Sequence, residues 1–265
     1  GIMFEKPSNG KRTATPGWYN TAAYEEEAQK AGLYAKSING DAFSKAVKEE
    51  TIALIKRDWG KADMVIYSLA APRRTDTQGK TWVSALKTTG KPFTEKSMDL
   101  RNHTIVTKTV EPAAEEEVEG TKKVMGGEDW LDWIKALKVA DVLEDNALTV
   151  AYSYIGPRLT YPIYYDGTIG QAKRHLEKTA RVIREEFPDV RALISVNKAL
   201  VTQASAAIPI VPLYFAVLYG VMKEAHTHEG CIEQMVRLFR EKLLEENPPT
   251  DEAGRIRKQK YLKQV

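Results

Sequence analysis

Three stretches decide the fold: Leu148-Thr149-Val150-Ala151-Tyr152-Ser153-Tyr154-Ile155, then Thr168 to Glu186, then Val190-Arg191-Ala192-Leu193-Ile194-Ser195-Val196. The first is a nearly continuous apolar run of strand length, the pattern of a strand buried on both faces. The second carries a helical pattern, and the third is again a strand. Strand, helix and strand in series predict two parallel strands in one sheet, joined by a right-handed crossover. Upstream the rhythm continues. Met64 to Ala71 is another short apolar run, predicted as a strand buried on both faces. Phe43 to Trp59 reads as a helix, with Phe43, Val47, Leu54 and Ile55 on a roughly helical period. The expected class is α/β, a parallel sheet with flanking helices.

Composition narrows the function classes. The chain has 265 residues, 43% hydrophobic and 28% charged, a globular mix that excludes wholesale disorder. Lys and Arg number 39 against 36 Asp and Glu, a net charge of +3, so no dense basic surface points to nucleic acid. The single cysteine, Cys231, excludes an intrachain disulfide framework and suits a reducing compartment. No signal-peptide pattern is read at the start, and the expected location is the cytoplasm. The most apolar stretch, Ala204 to Met222, is interrupted by Pro209 and Pro212, so a buried helix is expected there rather than a membrane span.

Two segments break the rhythm. Arg73 to Thr121 is long, polar and poor in periodicity, as expected of a functional insertion or small subdomain. The tail from Asn247 is rich in Pro, charge and Gln and reads as surface.

Candidate chemistry begins at Glu5, which ends an opening strand-like run from Gly1. In a dinucleotide-binding fold an acidic residue at such a strand end binds the adenosine ribose, ~20 residues after a Gly-rich phosphate loop. No Gly-x-Gly-x-x-Gly occurs here, and Gly126-Gly127 is an isolated pair. Either Glu5 is an ordinary surface carboxylate, or the phosphate loop belongs to residues absent from this chain.

The sharpest constellation is Tyr164-Tyr165-Asp166-Gly167-Thr168-Ile169-Gly170-Gln171-Ala172-Lys173. Thr168 and Gln171 predict a capping box, with the helix starting near Thr168. Tyr164 then lies in the preceding loop and can fold back towards Lys173. A phenol beside an ammonium is expected to have its pKa lowered from about 10, and the pair can serve a carbonyl oxygen that gains charge. The alternative is a surface helix with an incidental lysine and a packed tyrosine. Tyr152 and Tyr154 stand where ligands of open α/β sheets bind, beyond the carboxyl end of a strand. Tyr67-Ser68-Leu69-Ala70-Ala71-Pro72 ends the earlier strand with small residues that admit a flat ligand. His226-Thr227-His228-Glu229-Gly230-Cys231 has metal-ligand residue types, but no second ligand cluster accompanies it, so a structural role and no metal are expected. No Gly-x-Ser-x-Gly elbow anchors serine hydrolase chemistry. Glutamates 115–117 sit at an expected helix start. Glu128-Asp129 shows no partner in the sequence.

Taken together, these blocks resemble the trans-2-enoyl-CoA reductase and enoyl-ACP reductase V family, an outlying NADH-dependent branch of the short-chain dehydrogenase/reductases. The resemblance is carried by Gly17-Trp18-Tyr19-Asn20, Gly40-Asp41-Ala42-Phe43-Ser44, Tyr67 to Pro72, and Lys123-Val124-Met125-Gly126-Gly127-Glu128-Asp129-Trp130. Tyr152 to Gly156, Tyr164 with Lys173, Ser195 to Thr202 and His228-Glu229-Gly230-Cys231-Ile232 complete it, in order and with natural spacing. It implies a Rossmann-like sheet, with 73–121 as a substrate-covering insertion in one reductase domain spanning 1–265. It implies reduction of an enoyl-CoA or enoyl-acyl-carrier-protein thioester by NADH. Tyr164 would be the proton donor, Lys173 would hold the nicotinamide ribose, and Tyr154 would contact the substrate carbonyl. Phe4 and Glu5 would bound the adenosine ribose, Asp41 and Ala42 the adenine, and Leu69 and Ala70 the ribose. Thr202, Gln203 and Ala204 would lie near the nicotinamide amide and pyrophosphate. The apolar helix after Pro209 would wall the acyl channel. Glu5 favours NADH over NADPH, since a 2′-phosphate would meet like charge, although Lys6 softens that argument. Partners expected are the thioester substrate alone, without nucleic acid; the working state is a monomer, with a homodimer as the alternative. Family members begin with a strand and Gly-rich loop before the position of Gly1 and continue beyond Arg257, so a fragment is expected. A non-catalytic fragment or scaffold that has lost the cofactor is the alternative function.

Overall fold

Leu143–Ser153 and Val190–Val196 run side by side and parallel, with Ala147 opposite Val190 and Ser153 opposite Val196, in the computed structural model. The structure describes residues 1–200, 202, 205, 208–245, 247–251 and 254–257. In chain order its elements are β1 (Ile2–Met3), α1 (Pro16–Lys30), β2 (Ile38–Asn39), α2 (Lys45–Asp58), β3 (Ala62–Tyr67), β4 (Arg73–Thr75) and β5 (Thr81–Val83). There follow β6 (Phe93–Asp99), β7 (Thr104–Val110), α3 (Glu115–Met125), α4 (Glu128–Val139) and β8 (Leu143–Ser153). The last are α5 (Thr168–Glu186), β9 (Val190–Val196), α6 (Val211–Glu224), α7 (Cys231–Leu238) and β10 (Arg255–Arg257).

The main sheet has the order β10-β9-β8-β3, and β8, β9 and β10 are parallel neighbours. This is the expected α/β fold, a parallel Rossmann-like sheet flanked by helices. β8 is buried on both faces from Ala147 to Ala151. Leu148 and Val150 pack with Leu238, Leu243 and Ile256. On the alternate positions, the Thr149 hydroxyl accepts from Trp130 Nε1 at 2.8 Å and donates to the Val65 carbonyl at 3.1 Å. α5 buries Ile169, Ala172, Leu176, Ala180 and Ile183 at three- and four-residue spacing, the stripe that a 3.6-residue period requires. Burying a Leu or Ile of that stripe stabilises the fold by about 1.5–3 kcal/mol.

The chain divides into two compact units. The first comprises Gly1–Ala62, Thr75–Thr81 and Lys135–Leu143. In it β1 pairs parallel with β2, Ile2 opposite Ile38 and Met3 opposite Asn39. Pro16 opens α1, where its missing N–H costs nothing. Ser44 caps α2, accepting from the Val47 amide at 3.3 Å. The second unit comprises Asp63–Arg74, Trp82–Ile134 and Glu144–Val265, and holds the main sheet beyond its first residues.

Several expectations need correction. β3 ends at Tyr67 rather than Ala71, and Asp63 and Ile66 are exposed, so it is not buried on both faces. It stands at the end of the strand order, with a sheet neighbour on one side. β8 starts five residues before Leu148, because Leu143 and the polar Glu144, Asp145 and Asn146 extend a strand that apolar content cannot reveal. It stops at Ser153, before Gly156 turns the chain at φ 77°. Within 73–121, read as an insertion or small subdomain, lie two hairpins, β4–β5 and β6–β7, that the polar sequence did not reveal. The second is antiparallel with Glu95 opposite Lys108 and a Thr94–Thr109 hydroxyl pair at 2.7 Å. Threonine and lysine on both faces leave no apolar alternation to read. α6 is half-buried: Val211, Pro212, Phe215 and Met222 are covered, while Val217 and Val221 are exposed. The tail is not all surface, since β10 joins the sheet and its Ile256 is 0% exposed. Glu128 and Asp129 do have partners: Arg74 and Lys123 pair with Glu128 at 2.9 and 2.8 Å, and the Tyr67 hydroxyl donates to Asp129 at 3.2 Å. Among the described residues no helix is long and apolar enough to cross a membrane.

Candidate active site

The site starts where β8 ends. Tyr154 is the first residue past the strand, and a short 3₁₀ turn, Arg158–Thr160, reverses the chain. The turn continues as Tyr164 N–H donates to Thr160 O at 2.9 Å and Asp166 N–H to Tyr161 O at 2.8 Å. This returns Tyr164 to Tyr154. Their rings meet edge to face with centroids 5.1 Å apart, and Phe215 of α6 meets Tyr154 on another side at 6.5 Å. Tyr164 is buried in an apolar cluster with Val110, Ile163, Ile169, Val211 and Phe215. Tyr154 and Tyr214 both pack against this cluster.

Two glycines let the turn lie on α5. A Cβ on Gly170 would overlap the carbonyl oxygens of Tyr164 and Tyr165, and one on Gly167 would sit 2.6 Å from Ile163 O. Arg174 holds the same segment, donating to Tyr165 O at 2.6 Å. Thr168 is not the cap. Gly167 occupies that position, and the Thr168 hydroxyl instead donates to Ala85 O and accepts from the Lys87 amide at 3.2 Å. The tertiary contact outcompetes the local one.

Lys173 lies in the second turn of α5, and its Nζ donates to Tyr152 O at 3.0 Å. Its stem is partly exposed but the ammonium is enclosed, and that burial lowers its pKa to about 8. Burial also pushes the Tyr164 phenol up to about 12, and it holds Tyr154 and Tyr152 above their ordinary value. The expected lowering of the Tyr164 pKa is therefore overturned: desolvation governs it. Beside these groups the Ser153 hydroxyl, 4% exposed, has no hydrogen-bond partner among the described residues.

The cofactor candidates fall into two groups. Leu69, half-buried, and Ala70, exposed, follow β3. Thr202 is exposed and exchanges hydrogen bonds with Ser205 at 2.7 to 3.3 Å; Gln203 and Ala204 lie outside the described residues. In the first unit, Phe4 is 78% exposed. The Glu5 carboxylate accepts from the Thr15 hydroxyl at 2.5 Å, and Asn39 brackets the Glu5 backbone at 2.8 and 3.0 Å. Glu5 lies two residues past β1, in a groove of about 210 Å³ with Met3, Trp18, Thr21 and Asn39. Asp41 accepts from the Phe43 amide at 3.0 Å, and buried Ala42 accepts from Lys48 Nζ at 3.2 Å. The His226–Cys231 segment takes a structural part. Glu229 pairs with Arg237 at 2.5 Å and Lys198 at 3.3 Å, and His228 meets the Tyr219 ring at 4.9 Å. Among the described residues no group of three His, Cys, Asp or Glu is placed to hold a metal. Sequence reasoning missed the part played by Gly170. Only a glycine inside a helical pattern hinted at it.

Comparison with known proteins bears on this arrangement. The chain is 55% identical over 263 residues to an enoyl-[acyl-carrier-protein] reductase [NADH] of Coxiella burnetii, covering 97% of this chain and 65% of that one. It is 56% identical over 260 residues to a trans-2-enoyl-CoA reductase [NADH] of Clostridium perfringens, covering 97% and 67%. The crystal structure of Treponema denticola trans-2-enoyl-CoA reductase in complex with NAD superposes with a TM-score of 0.94 at 49% identity, over 97% of this chain and 65% of that one. The chain thus spans about 65% of the length of the Coxiella burnetii relative. With residues 12–244 matching the trans-2-enoyl-CoA reductase catalytic region, the chain belongs to that family.

Proposed function

We propose that this chain is the catalytic region of an enzyme that reduces the trans-2 double bond of an enoyl thioester with NADH. The observation that carries it is the pair Tyr154–Tyr164, two buried phenols in edge contact beyond the carboxyl end of β8. Ligands of open α/β sheets bind at that end. Both relatives bear names that specify NADH and an enoyl substrate.

The residues present fit a dinucleotide. The Lys173 ammonium spends one donor on Tyr152 O, which leaves donors for ribose hydroxyls. The unpartnered Ser153 hydroxyl at the same strand end fits a polar ligand group. When bound, NADH supplies the hydride that adds to the β-carbon. Tyr154 orients the thioester by donating to its carbonyl oxygen, where negative charge then develops. Tyr164 stays protonated because burial holds its pKa near 12, so at neutral pH it is always ready to give its proton. That proton replaces charge on the enolate and ends on the α-carbon, leaving a saturated acyl thioester. Lys173 holds the ribose. Glu5 and Asp41 bound the adenosine, and the Glu5 carboxylate disfavours a 2′-phosphate. The hairpins of 73–121 cover the acyl chain, with α6 as its wall. The carrier is coenzyme A or acyl-carrier protein, and the lone Cys231 suits the cytoplasm.

Crotonyl-CoA-dependent NADH oxidation by the intact protein, with a fluorescence titration of NADH, tests this. Saturable binding and turnover are expected, with NADH affinity weakened by Lys173→Ala. A protein that neither binds NADH nor turns over crotonyl-CoA would be the non-catalytic scaffold instead.

A further inference from the structure

The loop that follows β3 is gripped at both ends by the start of one helix. Tyr67 closes β3 and Arg74 lies in β4, and both side chains are buried. Between them Ser68, Ala70 and Pro72 are exposed. The Tyr67 hydroxyl donates to Asp129 Oδ2 at 3.2 Å, and its ring stacks on Trp130 with centroids 6.1 Å apart. The Arg74 guanidinium donates to Glu128 Oε2 at 2.9 Å, to Asp132 Oδ2 at 3.4 Å and to the Lys123 carbonyl at 2.9 Å. Glu128, Asp129 and Asp132 share the start of α4, where the helix dipole favours acids. Ser84 holds the stretch between the anchors: its hydroxyl donates to Ala71 O at 2.9 Å and its amide to Pro72 O at 2.9 Å. All of these residues belong to the second unit. The same helix start meets α5, through the Gly127 amide on His175 Nδ1 at 3.0 Å. His175 lies one turn of chain or less from Lys173, so the loop and the lysine are placed against one support.

A buried guanidinium is a poor source of stability. Desolvation offsets much of its attraction to carboxylates, so an apolar side chain of like volume often serves the fold as well. What its planar fork gives is place and direction. We propose that Tyr67 and Arg74 are positioning residues, which fix loop 68–72 so that Leu69 and Ala70 receive the cofactor ribose. This rests on the function proposed above. Both side chains are buried against α4 and act through the loop rather than on the ligand.

The test uses Tyr67→Phe and Arg74→Met in the intact protein. The phenyl ring keeps its stack on Trp130, and the partly exposed Glu128 and Asp132 find water once the guanidinium is gone. Arg74→Lys, which keeps the charge and loses the fork, replaces Arg74→Met if circular dichroism shows that variant unfolded. Each substitution should raise the Kd of NADH, read by fluorescence titration, roughly three- to tenfold, the size of one lost hydrogen bond. KM for crotonyl-CoA at saturating NADH should keep its wild-type value. A merely structural role would thin the folded population and lower kcat with Kd unmoved. An unchanged Kd, or equal losses for both ligands, would therefore overturn the proposal. A second measurement needs no ligand. The ¹⁵N order parameters of Leu69 and Ala70 should fall in the variants while those of α5 hold, and loop values equal to wild type would also overturn it. A wild-type protein that takes up no NADH, with loop order still falling in the variants, would refute the function and the ribose with it, and leave the anchor standing.

Discussion

Burial favours the neutral form of both Tyr164 and Lys173, and the two pay different consequences. For Tyr164 neutrality is the useful state, since a phenol kept protonated can donate. Tyr164→Phe keeps the ring in its apolar cluster and removes the proton, so turnover should fall about 10²-fold or more with the thermal midpoint little changed. Near-normal turnover would remove Tyr164 from the chemistry. For Lys173 the charge is the useful state and the burial opposes it. Its pKa is about 8 in the fold against 10.5 unfolded, so between those values the unfolded chain holds a proton that the native chain has lost. Stability from this group therefore rises as pH goes from about 8 to 10.5, and below 8 the enclosed ammonium weighs against the fold. Lys173→Met keeps an apolar stem without the charge. It should be the more stable protein at neutral pH, and its advantage in thermal midpoint should shrink towards pH 10.5. An advantage constant across that range would mean that the ammonium is not desolvated. Gly170→Ala acts on the same site through the backbone. Its methyl overlaps the Tyr164 and Tyr165 carbonyls, so the variant should lose about 1–3 kcal/mol in denaturant unfolding and move Tyr164. An unaltered midpoint would show that the turn has room to shift.

At the scale of elements, α4 begins against α5 through a titratable group. The Gly127 amide, just ahead of Glu128, donates to His175 Nδ1 at 3.0 Å. That bond needs a neutral imidazole. A Cβ on Gly126 would sit 2.7 Å from the same nitrogen, and one on Gly127 would overlap Thr179, so the glycine pair lets the two helices approach. Burial lowers the His175 pKa below 6.5, although Glu128 and Glu119 oppose that shift while Lys122 and Lys123 assist it. As pH falls from 6.5 towards the lowered value, the unfolded chain takes up a proton that the native one refuses, and stability is lost. His175→Asn offers an amide oxygen that does not titrate, so its thermal midpoint should fall less over that interval. Identical acid profiles for the two proteins would exclude His175 as the sensor. The sequence announced α5 and β9 with the limits that the structure shows, because a long apolar stripe and a buried run leave a period. It concealed β6 and β7, because a hairpin of threonine and lysine has none. It also brought Tyr164 towards the first turns of α5, but through a threonine cap that does not form; the glycine that permits the approach acts by atoms it lacks.

At the scale of the whole molecule, residues 1–62 and the second unit differ in what they bury. A further segment of the first unit, Lys135–Leu143, buries Leu137, Val142 and Leu143. In residues 1–62 the buried apolar side chains are four alanines, Ala14, Ala28, Ala42 and Ala62, with Ile38 and Val47. The second unit buries Trp130, Ile134, Leu176, Ile183, Ile194, Leu238 and Leu243 almost completely. At about 25 cal/mol per Å² of apolar surface, methyl groups contribute far less than indole and isobutyl groups. α1 shows this at the extreme: of its 15 residues, only Ala28 is buried. Helices that bury so little open locally, at free energies well below that of global unfolding. Hydrogen exchange should therefore be fast across α1 and at β1 and β2, and slow in α5 and β8, at neutral pH. The same experiment reads the function. The groove beside Glu5 lies between Met3, Trp18 and Asn39, so a ligand held there binds the folded unit and not its opened form. Such a ligand stabilises by RT ln(1 + [L]/Kd), which at a hundredfold excess over Kd is about 2.7 kcal/mol. Saturating NADH should then slow exchange in β1, β2 and the start of α1 about a hundredfold, and NADPH should slow it less because of the Glu5 carboxylate. Protection by NADH in β8 and α5 without any in β1 and α1 would detach Glu5 from the adenosine, whatever the turnover.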